Sequence, residues 1–356
     1  MEIKLELLPP EKRGRVPAHK NLPFGRIFTD HMFYMFYREG DGWQDACIKP
    51  YGSLCLDPAA VVFHYSQTIF EGLKAYYGVD DRIRLFRPER NMARMNRSAW
   101  RMCMPQIDET FVLKALKKLV DIEKEWIPRE KGSALYIRPL MMGTETFLGV
   151  KPSSEYVFLI ILSPVGAYYR EGFNPVKIYV TDKYVRAAPG GVGDVKTGGN
   201  YAASLMASEE AKKLGYTQVL WLDAIERRYV EEVGTMNIFF YFEDELATPA
   251  LTGTILPGIT RESVIQMARD WGLRVTERRI PIEEVLEGAE SGRLKECFGT
   301  GTAAVISPVG CLAYKGKEYV INEGKTGPLA RRLFEELTGI QYGEKPDPYG
   351  WVQFVL

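Results

Sequence analysis

The sequence predicts a mixed α/β chain of two domains, and three observations carry that expectation. The chain has 356 residues, more than twice the roughly 150 of an ordinary domain. Strand-like and helix-like apolar patterns alternate through the first half, whereas strand patterns dominate the second. Between the halves, GAYYREGFNP at 166–175 replaces apolar residues with glycine, proline and charge. A linker is expected there, dividing a domain at 1–165 from one at 176–356.

Taken in order, HMFYMFYREGDGWQDACIKP reads as a hairpin turning at Gly40-Asp41-Gly42. FRPERNMARM belongs to an arginine-rich helix, and DETFVLKALKKLVDIEKEWI carries helical spacing at Val112, Leu116, Leu119 and Val120. SALYIRP and EYVFLIIL follow as strands; the second is apolar almost throughout, as a strand covered on both faces would be. In the second half VKIYVTD, TQVLWLD and MNIFFYF are strands. One helix is expected from about Tyr201 to a stop at Gly215, and another from Pro328 to a stop at Gly339. LPGITRESVIQMARDW sets Pro257-Gly258 before Ile259 and Thr260 at a helix N-terminus, and FGTGTAAVISP reads as a small-residue turn leading into a strand.

Composition narrows the partners. Lysine plus arginine equals aspartate plus glutamate at 46 each, so no net field draws nucleic acid or an acidic membrane, and a small molecule is the expected partner. Cys47, Cys55, Cys103, Cys297 and Cys311 are an odd, scattered set without CxxC spacing, which points to free thiols in a reducing compartment. MEIKLELLPPEKRGR lacks an apolar signal core, and Val157 to Leu162 is too short a run to cross a bilayer, so a cytoplasmic location is expected. The histidines are His19, His31 and His64, with no HExxH spacing to suggest a hydrolytic metal.

The stretch GGVGDVKTGGNY, 190–201, surrounds Lys196 with five glycines. A nucleotide P-loop needs its lysine after the last glycine, and the dinucleotide G-x-G-x-x-G fingerprint needs a strand, a helix and an acidic residue at set distances. Neither pattern fits. The lysine itself remains: an amine in a confined site is a nucleophile and base, and glycines let a flat ring approach the backbone. A flexible loop with a solvated lysine reads the same letters. Tyr201 lies five residues on, and RRYVEEVGTMN brings Glu231 and Glu232 to the entrance of a strand. A pyridine-aldehyde cofactor would need a lysine for a Schiff base, a donor at its phenolic oxygen and a carboxylate at its ring nitrogen. Thr300, Thr302 and the helix start at Ile259 and Thr260 offer donors for an anion such as its phosphate.

With these residues assembled, the sequence resembles the branched-chain amino-acid aminotransferases, pyridoxal-phosphate enzymes of fold type IV. The likeness runs nearly the whole chain through FEGLKAY (70–76), FRPERNMARM (86–95), YIRP (136–139), GTETFLGV (143–150), LSPVGAYY (162–169), GVGDVKTGGNYAASL (191–205), EVGTMN (232–237), LPGITR (256–261) and GTGTAA (299–304). It implies a smaller N-terminal α/β domain and a larger, strand-rich C-terminal pseudo-barrel domain. By the same resemblance, Lys196 would bind pyridoxal 5'-phosphate, Tyr201 would meet the phenolic oxygen and Glu232 the ring nitrogen, while Arg94, Ile259, Thr260 and Thr302 would hold the phosphate. The substrate α-carboxylate would meet Thr302-Ala303 with help from Tyr65, and Phe70, Tyr136, Tyr168 and Thr235 would line the side-chain pocket. Arg138 would pair with the distal carboxylate of 2-oxoglutarate, and Leu148 and Val150 would reach the partner's pocket in a homodimer.

Two departures stand out. WLDAIERRYVEEV is one residue longer than the family's common form, which keeps Glu231 open as the ring-nitrogen partner; EVGTMN favours Glu232. The CxxC that mammalian members carry after GTGTA is here Ala304 and Ser307. The implied reaction exchanges the amino group of L-leucine, L-isoleucine or L-valine with 2-oxoglutarate. Other expectations are a D-amino-acid aminotransferase, an aminodeoxychorismate lyase, and, in a different class, a non-catalytic phosphate-binding protein.

Overall fold

The computed structural model describes residues 1–17, 22–166 and 173–355. Its compact units are Met1–Tyr168 with Val195–Gly198 and Gly339–Leu356, and Tyr169–Asp194 with Gly199–Thr338. The short segment carrying Lys196 therefore groups with the first unit, although it lies past the expected linker in sequence.

Among the described residues, the first unit is built on a nine-stranded sheet. Its central strands are His31–Arg38, Glu155–Val165 and Ala134–Gly143, the middle one antiparallel to both neighbours. The hairpin forms as predicted, with Gly40 and Gly42 at φ of 89° and 78°. Glu155–Val165 is paired on both edges, and Val157, Phe158, Leu159, Ile160 and Leu162 are all buried, which accounts for its unbroken apolar run. Helix Glu109–Ile122 starts where Asp108 Oδ1 accepts from Phe111 N at 3.0 Å. Its Val112, Leu116, Leu119 and Val120 lie on one face and enter the same core as Phe33, Leu135 and Phe158. Each such side chain is worth about 1.5–3 kcal/mol on burial. Helix Pro88–Arg101 adds Met92, Met95 and Ala99 to that core.

The second unit, again among described residues, holds a nine-stranded mixed sheet. Strands Val176–Thr181, Gln218–Leu222 and Asn237–Phe242 fall on the three predicted runs. Helices Ile259–Asp270 and Ile282–Ser291 pack on strand Leu294–Gly301. Two helix expectations need correction. The helix expected from about Tyr201 is instead two pieces, Gly198–Ala203 and Leu205–Lys213. The break is at Ser204, whose N–H bonds Tyr201 O three residues back at 3.2 Å while its hydroxyl donates to the same oxygen at 2.7 Å. The predicted stop at Gly339 is also wrong: helix Pro328–Tyr342 runs through it and ends before Gly343, which takes φ of 73°. Gly339 answers packing rather than chain reversal, because a Cβ there would come within 2.8 Å of the Lys345 side chain.

No helix of the described residues is long and apolar enough to cross a membrane. All five cysteines are free.

Candidate active site

In the first unit the lysine segment is laid alongside strand Thr68–Phe70. Ile69 and Thr197 form an antiparallel bridge, Phe70 N donates to Lys196 O at 3.0 Å, and Thr197 Oγ1 donates to Thr68 O at 2.8 Å. On the other side, Lys196 N donates to Ser98 Oγ at 3.1 Å. These groups are engaged by protein, so the backbone around Lys196 is a positioned strand edge rather than a phosphate cradle. Its Nζ stands 4.7 Å from the Phe70 ring centre.

Asn91, Arg94 and Ser98 recur on one face of helix Pro88–Arg101 and point at this edge. Arg94 donates to the Glu71 carboxylate through Nε at 2.7 Å and Nη2 at 2.9 Å, and Asn91 Nδ2 adds a bond at 2.8 Å. Burial would push the Glu71 carboxyl up; Arg94, the Lys196 charge and Asn91 outweigh it and hold the group below its usual range. Gly72 is required next in line, since a Cβ there would sit 2.2 Å from the Tyr136 hydroxyl. Arg138, two residues along the strand from Tyr136, donates to that hydroxyl through Nη2 at 3.1 Å. Its guanidinium lies 4.5 Å from the Phe70 centre, and its buried Nε has no hydrogen-bond partner.

The second unit assembles a different cluster. Along strand Val230–Val233 the period of two turns Glu231 and Glu232 to opposite faces. Glu232 pairs with Arg186 at 2.6 Å and accepts from Asn237 Nδ2 and Leu256 N, each at 3.1 Å. Arg186 Nη2 also donates to Gly193 O at 2.6 Å and Thr254 O at 2.7 Å, tying the glycine loop and the 254–258 loop to the carboxylate. Asn237 holds Leu256 O at 2.9 Å, and a Cβ on Gly258 would meet its Oδ1 at 2.0 Å. Glycine at 258 thus lets the helix Ile259–Asp270 begin against Asn237. No side chain caps that helix, so the first-turn amides of Ile259 and Thr260 are available to an anion. Thr300, cross-strand from Asn237, has a buried hydroxyl without a partner. Glu231 faces the other way, into a cavity of about 370 Å³ walled by Pro189, Ile225, Tyr229, Ile255 and Arg279. There its Oε1 accepts from Thr254 Oγ1 at 2.5 Å, Oε2 has no partner, and burial pushes the carboxyl up.

Other predicted residues fall as follows. Tyr201 is half-buried on the short helix Gly198–Ala203, and Thr235 is exposed in the turn before strand Asn237–Phe242. Thr302 and Ala303 form the turn between strands Leu294–Gly301 and Val305–Tyr314. Tyr65, 42% exposed, donates to Leu148 O at 2.7 Å. Leu148 and Val150 project at 64% and 87% exposure. Tyr168 lies outside the described residues. Sequence reading missed Glu71, Asn91, Ser98, Arg186 and Asn237. Glu71, Asn91 and Asn237 sit inside FEGLKAY, FRPERNMARM and EVGTMN, but no letter there marks a buried side chain; Arg186, between runs, carries no local signal.

Residues 68–310, which span the lysine segment, the Glu232 carboxylate and the uncapped helix start, match the amino-transferase class IV family model. Branched-chain-amino-acid aminotransferase 2 of Bacillus subtilis (strain 168) is 55% identical over 98% of this chain and 96% of its own length. Among solved structures, the Escherichia coli branched-chain amino acid aminotransferase superposes with a TM-score of 0.76 at 27% identity, covering 91% of this chain and 99% of that one. The T.th. branched-chain amino acid aminotransferase complexed with N-(5'-phosphopyridoxyl)-L-glutamate gives 0.73 at 27% identity, covering 90% and 98%. The chain belongs to the branched-chain-amino-acid aminotransferase family, and its fold is the family's type IV.

Proposed function

We propose that the chain passes the amino group of L-leucine, L-isoleucine and L-valine to 2-oxoglutarate, releasing branched-chain 2-oxo acids and L-glutamate in a ping-pong cycle. The observation that carries this reading is the shared Phe70 ring, with Lys196 Nζ at 4.7 Å and the Arg138 guanidinium at 4.5 Å. An aromatic wall suits an aliphatic side chain. A cation bonded to the Tyr136 hydroxyl, with its Nε donor unmatched, suits the distal carboxylate of the second substrate.

Pyridoxal 5'-phosphate, when bound, supplies an electron-withdrawing ring that stabilises negative charge at the substrate α-carbon. The residues present fit it: an amine at Lys196, an anion at Glu232 and an orphaned hydroxyl at Thr300 beside an uncapped helix start. Lys196 would hold the cofactor covalently and, once displaced by substrate, carry the α-proton on Nζ. Tyr201 would donate to the phenolic oxygen, and Glu232 would keep the ring nitrogen protonated. Arg94, Ile259, Thr260 and Thr302 would bind the phosphate. Thr302-Ala303 and Tyr65 would take the α-carboxylate, with Phe70, Tyr136, Tyr168 and Thr235 around the side chain.

A homodimer belongs to the same reading, supported by the apolar tip Phe147, Leu148 and Val150 at 41%, 64% and 87% exposure. Leu148 and Val150 would enter the partner's active site. Five free thiols suit the cytoplasm.

The test is the visible absorbance of the holoenzyme. L-Leucine alone should remove it, 2-oxoglutarate should restore it, and Lys196→Ala should lack it altogether. A band that ignores L-leucine but responds to D-alanine would replace the substrate assignment.

A further inference from the structure

Glu71 has no part in the reading above, yet it is fully buried at the side of Lys196. A buried carboxylate survives as an anion only when donors surround it. Four bonds do so: Arg94 Nε at 2.7 Å, Arg94 Nη2 at 2.9 Å, Asn91 Nδ2 at 2.8 Å and its neighbour Gly72 N at 3.1 Å. Asn91 is held in turn by Gly72 O at 3.2 Å. Arg94 from helix Pro88–Arg101 and Lys196 from its own segment act on this carboxylate, and Arg138 from strand Ala134–Gly143 stands 4.5 Å from the centre of the adjoining Phe70 ring. All three are cations, and Glu71 is the anion among them.

We infer that Glu71 is a positioning residue of the site, fixing Arg94 by a two-point carboxylate grip and serving as the counter-charge of Lys196. The inference rests on the proposed function. Physically, a guanidinium held through Nε and Nη2 keeps one orientation, so an anion presented to Arg94 meets a prepared group instead of a mobile side chain. Neutralising Glu71 would remove a negative charge that acts on Lys196, and so disfavour positive charge on that nitrogen.

Glu71→Gln and Glu71→Asp holoenzymes test this by two readouts other than turnover: the pH midpoint of the bound cofactor's visible absorbance, and the cofactor Kd. Glu71→Gln should move the midpoint down by about one pH unit or more and weaken cofactor binding about tenfold. Glu71→Asp restores the charge from a shorter stem, so its midpoint should return to within a few tenths of wild type while Kd stays weakened. An unmoved midpoint in a folded Glu71→Gln protein would overturn the counter-charge role. If Glu71→Gln does not fold, Glu71→Asp decides: a weakened Kd with the wild-type midpoint supports the inference, and an unchanged Kd overturns it. A wild-type protein with no band, or one whose borohydride-reduced adduct maps away from Lys196, sinks the proposed function instead.

Discussion

Each unit contains a buried glutamate–arginine pair, and the two are built to different ends. Glu71 and Arg94 meet side chain to side chain, with exposures of 0% and 10%, in a two-point grip that fixes a guanidinium against a carboxylate. Glu232 and Arg186, at 5% and 8%, are equally buried, but Arg186 also bonds the backbone carbonyls of Gly193 and Thr254. The first pair orients a group, whereas the second closes loops. Burial alone would not separate them; the bonds to loop carbonyls do.

The sharpest way to break that comparison is to remove Arg186. Arg186→Met takes the paired cation away from the buried Glu232 charge and leaves two loop carbonyls short of a donor. Breaking a buried pair from one side costs about 3–5 kcal/mol, so urea denaturation of the cofactor-free protein should show a loss of that order. A loss under about 1 kcal/mol, the scale of a surface pair, would mean that Arg186 is no clamp.

A buried cation of another kind gives a pH test in the first unit. Lys74, paired across the sheet with Tyr136, is brought from 10.5 down to about 8 by burial. Below pH 8 it is charged in both states and the fold bears the full desolvation cost. From about 8 to 10.5 the unfolded chain holds the extra proton, so stability rises with pH through that window. The shift corresponds to about 3 kcal/mol. The stability of Lys74→Met relative to wild type should therefore fall by about that amount between pH 7 and about 11, measured by denaturant titration at each pH. A difference independent of pH would show that Lys74 is not desolvated.

The same contrast explains what could be read from the letters alone. Strand Glu155–Val165 and helix Glu109–Ile122 were legible because burial on two faces, or on one face every third or fourth residue, writes itself into the order of apolar letters. The glycines around Lys196 marked the segment as unusual, but the same letters would spell a flexible loop, and only the bridge to Ile69 shows a positioned strand edge. Gly339 misled because a glycine that admits the Lys345 side chain is written like one that ends a helix. Arg186 was invisible for a deeper reason: its partners at 193, 232 and 254 are joined only by the folded sheet. Glu71 lay in plain view within FEGLKAY, but nothing in one sequence says that its carboxylate is buried.

The smallest expected effect gives the cleanest discrimination, because it compares consecutive residues on one strand. Glu232 has a cation and two N–H donors and shares a sheet face with Asn237 and the start of helix Ile259–Asp270. Glu231 turns into the opposite cavity with a single hydroxyl for company. If Glu232 is the residue that keeps the cofactor ring protonated, Glu232→Gln should lower kcat about a hundredfold, roughly 2.7 kcal/mol of barrier. Glu231→Gln should change kcat by less than about threefold, under ~0.7 kcal/mol. Its effect belongs on stability instead. Burial raises the Glu231 carboxyl, so this group favours the fold at low pH and loses that advantage as pH rises through its folded pKa. The amide, which does not ionise, should make Glu231→Gln relatively more stable at neutral pH than at acidic pH. Steady-state kinetics on both variants, with melting curves at the two pH values, check the pair. Were the kinetic loss to fall on Glu231→Gln, the extra residue in WLDAIERRYVEEV would have shifted the working carboxylate by one position, and the Arg186 clamp would belong to the scaffold alone.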